Sequence, residues 1–171
     1  MVIACLKKLK QLLDKTKRPP IDGEMHRLLK RQALFDIYSG VLCDESSIQQ
    51  RLSKIDFSLD FRFLRCACAQ LHIDPSTGWK YSKNDLYTAL ETILADSMNC
   101  GISCYTINYT ATSLELIFLL TGDEADDVLQ DSLSRAQKAA KEILQCEVFV
   151  QHLRSYPSLL ALALASGQEY N

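Results

Sequence analysis

The chain has 171 residues, 47% of them hydrophobic, and a formal net charge of −2. That length accommodates one compact domain with an extension. The near-neutral charge excludes the broad basic field on which nonspecific nucleic-acid binding relies. The longest apolar run, LLALALA at 159–165, is too short to cross a bilayer, so we expect no membrane contact.

The N-terminal third of the chain has the pattern of helices. Apolar residues recur at helical spacing among lysines over 3–17, which predicts a first helix. A second helix is predicted over about 22–38 and ends at Gly40, a residue that suits the left-handed conformation after a helix. Asp44 is expected to cap a short third helix. We interpret residues 1–56 as a helical linker or signalling segment.

From Phe57 onward, strand patterns alternate with helix patterns. The predicted elements are a strand over about 61–73, a helix capped by Ser82 and Asp85 that ends near Asn99, a hairpin of strands at 102–109 and 114–120, a helix to about Leu144, a strand at 146–151 and a last helix ended by Gly167.

This βαββαβ order predicts an α+β, ferredoxin-like fold, an antiparallel sheet with two helices on one face, preceded by the N-terminal linker helices. We assign residues 57–171 to this domain. The residues expected to be buried in it are Phe61, Phe63, Leu116, Phe118 and Leu133.

The acidic sequence LTGDEADD at 120–127 is a candidate metal site. Its carboxylates belong to Asp123, Glu124, Asp126 and Asp127. Carboxylates are hard ligands for Mg²⁺, but acids are also favoured in the first turn of a helix, where they meet the positive end of its dipole. We interpret the stretch as a helix start, capped by Thr121 or Asp123.

The cysteines have no spacing typical of a zinc site. They are Cys5, Cys43, Cys66, Cys68, Cys100, Cys104 and Cys146. No CxxC pair occurs, and the histidines (His26, His72 and His152) are scattered, whereas zinc sites use closely spaced pairs of ligands. We therefore expect buried thiols in a reducing, cytoplasmic compartment.

Three consecutive segments carry a family resemblance: LLKRQALFDIYSGVL (28–42), DESSIQQRLSKIDFSLD (44–60) and FRFLRCACAQLHID (61–74). In this order they resemble the middle region of YesN-like, AraC-family bacterial transcription regulators, in which linker helices precede a degenerate GGDEF-like domain. The resemblance covers about residues 26–151. It implies a fragment of a longer regulator of the two-component type, which would contact DNA only through a separate C-terminal helix-turn-helix region.

The resemblance also bears on enzyme activity. Active GGDEF domains hold Mg²⁺ with one carboxylate at the end of the first strand, in a D-I-D-like triplet, and a second from the turn of the central hairpin. The matching positions here are His72-Ile73-Asp74 and Thr110-Ala111-Thr112-Ser113, so a histidine replaces the first acid and the turn has none. This implies a non-enzymatic signal-relay domain with no catalytic, cofactor-binding or metal-binding residue.

Two alternatives remain open at this point. A degenerate cyclase-like domain could still bind a nucleotide or small molecule as a sensor, or a residual cyclase or phosphodiesterase activity could persist. His72 is either an ordinary exposed histidine or a ligand contact.

The family resemblance further implies a homodimer, and the N-terminal helices carry an apolar stripe with charged flanks that suits helix pairing. Its residues are Leu6, Leu9, Leu13, Met25, Leu28, Leu29 and Leu34. The alternative is that the same stripe folds back onto the sheet of its own chain.

Overall fold

The computed structural model describes residues 21–55, 57, 60–74, 82–122 and 126–169. The predicted helix over 3–17 lies outside these residues. The elements within them are α1 (Ile21–Tyr38), α2 (Glu45–Ser53), β1 (Arg65–Ile73), α3 (Lys83–Ser97), β2 (Ile102–Tyr109), β3 (Ser113–Leu120), α4 (Asp126–Leu144), β4 (Val148–Tyr156) and α5 (Leu159–Glu169).

The strands form one antiparallel sheet in the order β2-β3-β1-β4. β1 and β3 are therefore central, and their pairing runs from Arg65 opposite Leu120 to His72 opposite Ser113. The expected α+β class with an antiparallel sheet is confirmed. Within the described part of the chain, no helix combines the length and the apolar character needed to cross a membrane.

One face of the sheet is covered by α3 and α4, which build what we call the first core. Leu116 and Phe118 of β3 share it with Leu133 of α4, and all three are buried as expected. Successive side chains of β3 point to alternate faces of the sheet, so that Leu114, Leu116, Phe118 and Leu120 point to this face.

The opposite face is also covered, by α1, α2 and α5, and this second core contains Phe61, as expected a buried residue. β1 and β3 contribute their alternate side chains, among them Cys66 and Ile117. Burial on both faces explains why the sequence SLELIFLL is almost continuously apolar, instead of alternating between apolar and polar residues.

Phe63 is not buried, contrary to the sequence-based expectation: its exposed fraction is 78%. Residues 61–63 form a turn and not the start of β1, because the carbonyl of Asp60 accepts the amide hydrogens of Phe63 and Leu64 at 3.1 and 3.0 Å. The Arg62 guanidinium lies 5.8 Å from the centre of the Phe63 ring. The apolar run FRFL therefore contains a turn that its composition did not indicate.

The C-terminal boundaries also differ from expectation. β4 continues to Tyr156, which pairs with Cys66, and α5 continues through Gly167 to Glu169. Gly167 serves close packing rather than termination, because a Cβ atom there would lie 2.8 Å from the Cβ of Cys43.

The predicted helix ends are correct in three places. Asp44 caps α2 by accepting the amide hydrogen of Ser47 at 2.9 Å. Ser82 caps α3 by accepting that of Asp85 at 3.2 Å. Gly40 follows α1 with a φ of 74°, in the left-handed region that glycine adopts without strain.

Candidate functional site

The end of β1 lies beside the turn that joins β2 to β3. His72 is opposite Ser113 across the two strands, and the amide of Ile73 donates to the carbonyl of Thr112 at 2.8 Å. The two segments in which the family resemblance locates the metal-binding acids of active cyclases are thus neighbours in space.

The polar groups of this turn bond to one another. The hydroxyl oxygens of Thr110 and Ser113 are 2.6 Å apart, and the Gln70 side-chain amide donates to Ser113 at 3.1 Å. The hydroxyl of Tyr87 donates to the carbonyl of Thr110 at 2.6 Å. These bonds hold the turn in shape. Among the described residues, no three His, Cys, Asp or Glu side chains converge to hold a metal ion.

The described end of the acidic stretch is the start of a helix, as predicted. α4 begins at Asp126, and the Asp127 carboxylate accepts the amide hydrogen of Val128 at 2.9 Å. Asp126 accepts from the Ser155 hydroxyl at 3.1 Å and lies 3.6 Å from the Arg65 guanidinium. Asp126 therefore connects the first turn of α4 to β1 and β4.

Of the two alternative caps, Thr121 is too far from the helix, because α4 begins five residues later at Asp126. Its amide and hydroxyl both donate to the carbonyl of Gly101, at 2.9 and 3.0 Å, so it fastens the end of β3 to the start of β2. The alternative capping residue, Asp123, and its neighbour Glu124 lie outside the described residues.

A polar cavity of about 250 Å³, which we call the sheet cavity, lies on the second-core face. Its polar lining includes Tyr38 of α1, Glu115 of β3 and Arg154 of β4. The Asn108 side-chain amide donates to Glu115 at 3.0 Å. Burial, followed by the nearby Glu115 carboxylate, raises the pKa of Tyr38 to about 12, so its hydroxyl stays protonated at neutral pH.

The sheet cavity coincides with irregular backbone. His152 has a φ of 54°, which is strained for a residue with a Cβ atom, and the β1–β4 register shifts between Cys68 and Gln70. Strained residues of this kind are concentrated at functional sites. The sequence contained no signal for this cavity, because its side chains come from five separate elements.

The cavity has no activated nucleophile among these side chains. Cys68 lines it, but burial raises the pKa of this thiol to about 12, whereas a reactive cysteine must be a thiolate. The remaining groups can hold a small polar molecule by hydrogen bonding.

Of the cysteines expected to be buried thiols, Cys66, Cys68 and Cys146 are buried, while Cys43 and Cys100 are exposed.

Comparisons of the chain with protein-family models, with curated proteins and with solved structures find no significant match.

Proposed function

We propose that this chain is a non-enzymatic regulatory domain that relays a signal from its N-terminal helices through its sheet, as the resembling region of YesN-like, AraC-family regulators would. The observation that carries the proposal is the packing of α1 on the sheet. Ala33, Leu34 and Ile37 of this helix are fully buried in the second core together with strand residues of β1 and β3.

The physical basis of the relay is that the two central strands belong to both cores. A shift of α1 must repack the second-core side chains of β1 and β3, and close-packed interiors transmit such strain because they have few voids to absorb it. The same two strands also pack against α3 and α4 in the first core, so a change in their position alters the packing of these helices. Coupling of two surfaces through packed side chains of this kind is a physical route for regulation.

A ferredoxin-like, GGDEF-like identity of the fold is also a proposal. It is supported by the strand order, since β3 lies between β1 and β2 and so splits the first βαβ unit in the manner of ferredoxin-like domains. It is further supported by the position of α3 and α4 on one face.

The absence of cyclase activity is proposed on the chemistry of the β1 end. Mg²⁺ takes oxygen ligands, above all carboxylates, whereas His72 offers an imidazole and the adjoining turn offers hydroxyls already bonded to each other. Purified protein incubated with GTP and Mg²⁺ should give no cyclic dinucleotide. Product formation that is lost in an Asp74→Asn variant would overturn this part of the proposal.

A cytoplasmic homodimer belongs to the same proposal. The first half of α1 leaves Met25, Leu28 and Leu29 exposed, with exposed fractions of 57, 50 and 37%. Leu34, expected in the same stripe, is fully buried in its own chain and is not accessible for pairing. Contact with DNA would be made by a separate helix-turn-helix region.

The relay is tested by transcript profiling of the source organism. An in-frame deletion of the gene should change a discrete set of promoters. Ile37→Val, which removes one buried methylene group, should alter the amplitude of that response at unchanged protein level, while Leu164→Ala on the exposed face of α5 should not. An unchanged transcript profile in the deletion strain would refute the regulatory function.

A further inference from the structure

A basic cleft of about 440 Å³ lies between α1 and β2, away from the end of β1. β2 contributes residues 102–106 to it, which is the half of the strand distant from the hairpin turn. Within the described residues β2 is at the edge of the sheet, so half of its backbone amides point away from β3. The cleft is therefore lined by an edge strand and by one face of a helix.

The helix face is cationic. Arg27 and Arg31 are four residues apart and line the cleft, and His26 and Lys30 form a parallel row one position earlier. Residues four apart on a helix are neighbours, and like charges at this spacing destabilise the helix. His26 adds a ring N–H donor in either protonation state. An anion in the cleft would relieve the repulsion between the cations.

Glu91 compensates only part of this charge. Its carboxylate lies 3.7 Å from the guanidinium groups of both Arg27 and Arg31, so one negative charge faces two positive ones. At 3.7 Å these contacts are ion pairs beyond hydrogen-bonding distance, and they do not consume guanidinium N–H donors. Arg31 is held in place by donating to the Tyr109 hydroxyl, which donates to Glu91 at 2.7 Å.

Among the described residues that line the cleft, those opposite the helix carry no negative charge. Cys104 lines the cleft, and burial raises the pKa of its thiol, so it is neutral at physiological pH. Ser103 contributes a hydroxyl from an exposed position. The net charge of the side chains in the cleft is thus positive. Planar guanidinium donors lie on one side of it and a strand edge on the other.

We propose that this cleft binds a small molecule through a phosphate group. Guanidinium groups recognise phosphate through paired N–H donors in a fixed plane, and a cleft of this volume falls within the range of about 300–1,000 Å³ typical of small-molecule sites. The ligand bridges α1 and β2. The site is distinct from the β1 end, and its existence does not depend on the proposed relay.

Calorimetric titration tests the site with inorganic phosphate, inorganic pyrophosphate and a nucleoside monophosphate as separate probes. Saturable binding of at least one probe is expected. Tighter binding of the nucleotide than of pyrophosphate would identify a ligand with a nucleoside part, and the reverse order a free polyphosphate. No saturable binding of any probe at millimolar concentration would overturn the proposal.

A pair of charge-reversal variants locates the site. Arg27→Glu should weaken binding by about tenfold or more, the loss expected for a charge-assisted hydrogen bond. Lys138→Glu makes the same change in net charge at an exposed position on α4 and should leave the affinity within about twofold, because exposed charges at a distance are screened. Equal weakening by both variants would mean that the probe responds to overall charge, which would refute the cleft as the site.

Both variants are checked for folding by their melting temperature without ligand. Arg27 has an exposed side chain, so its replacement should leave this temperature close to that of the unaltered protein. Should Arg27→Glu unfold, Ser103→Trp, which fills the cleft from the strand side, takes its place. Unchanged affinity in that variant would equally refute the site.

Discussion

Leu116 and Ile117 are adjacent in β3 and both are fully buried, yet they belong to two different cores. Successive side chains of a strand point to opposite faces of the sheet. Leu116 therefore packs with α3 and α4, and Ile117 with α1, α2 and α5. β3 therefore separates the two cores, and each of its side chains points to one of them.

Leu116→Ala should lower the free energy of unfolding by about 2–5 kcal/mol, the range for removing a fully buried leucine side chain and leaving a cavity. Urea denaturation measures it. Leu164→Ala is the matched control, because Leu164 has an exposed fraction of 51% and should change stability by less than about 0.5 kcal/mol. A loss below that value for Leu116 would mean that its face is not in the core.

The class of the fold and the order of its elements follow from local patterns. Helical spacing from residue 21 onward, the caps at Asp44 and Ser82 and the two strands of the hairpin all depend on residues close together in sequence, and each of them agrees with the structure. The strand boundaries were less predictable. The start of β1 depends on a turn at Asp60 whose hydrogen bonds involve the backbone, which composition does not reveal.

The second core and the sheet cavity were beyond prediction for a different reason. Whether Leu34 pairs with another chain or with its own sheet depends on tertiary packing, since the same apolar stripe serves either purpose. The sequence pattern is compatible with both. In the structure, the second half of α1 packs against the sheet of its own chain. The strained backbone at His152 likewise arises from a register shift between β1 and β4 that no residue type specifies.

Asp44 makes stability depend on pH. Hydrogen bonds from Ser47, and then from Ser46, lower the pKa of its carboxyl from 3.8 to about 2. Because the folded-state pKa is depressed, this stabilisation is present above pH 3.8 and is lost as the pH falls toward about 2. Asp44→Ala should therefore lower the urea midpoint at neutral pH, and the difference from the unaltered protein should shrink over that interval.

Asp44→Asn is the control for the charge. Asparagine caps a helix through a neutral oxygen, so the difference between this variant and Asp44→Ala should not change between neutral pH and the acid interval. If the Asp44→Ala difference were also constant down to about pH 2, ionisation of Asp44 would not contribute to the cap.

The cysteines should differ sharply in reactivity. Burial raises the pKa of Cys68 to about 12 and that of Cys146 to about 11, whereas Cys43 and Cys100 are exposed. Since the thiolate is the reactive form, iodoacetamide at mildly alkaline pH should label Cys43 and Cys100 in the folded protein. Peptide mass spectrometry identifies the labelled sites. Labelling of Cys68 or Cys146 at a comparable rate without denaturant would contradict their burial.

Substitutions at Leu34 and Leu28 test two different roles of α1, packing in the core of its own chain and presenting an exposed apolar stripe. Leu34 is fully buried and Leu28 is half exposed, so Leu34→Ala should destabilise the monomer by about 2–5 kcal/mol. Leu28→Ala should change its stability by less than about 0.5 kcal/mol. Chemical denaturation at low protein concentration makes this comparison without interference from association. A similar loss in both variants would mean that α1 is docked in a different rotation.

Self-association of the chain is tested by placing a charge on the exposed stripe of α1. If Met25, Leu28 and Leu29 pair two copies of the chain, the mass found by sedimentation should rise with concentration, and Leu28→Asp should prevent the rise, because burying a lone carboxylate in an apolar interface is costly. Gln130→Asp, at an exposed position on α4, adds the same charge away from α1 and should leave association intact. A constant monomer mass for the unaltered chain at high concentration would exclude the dimer. Association that survives Leu28→Asp would move the interface away from α1.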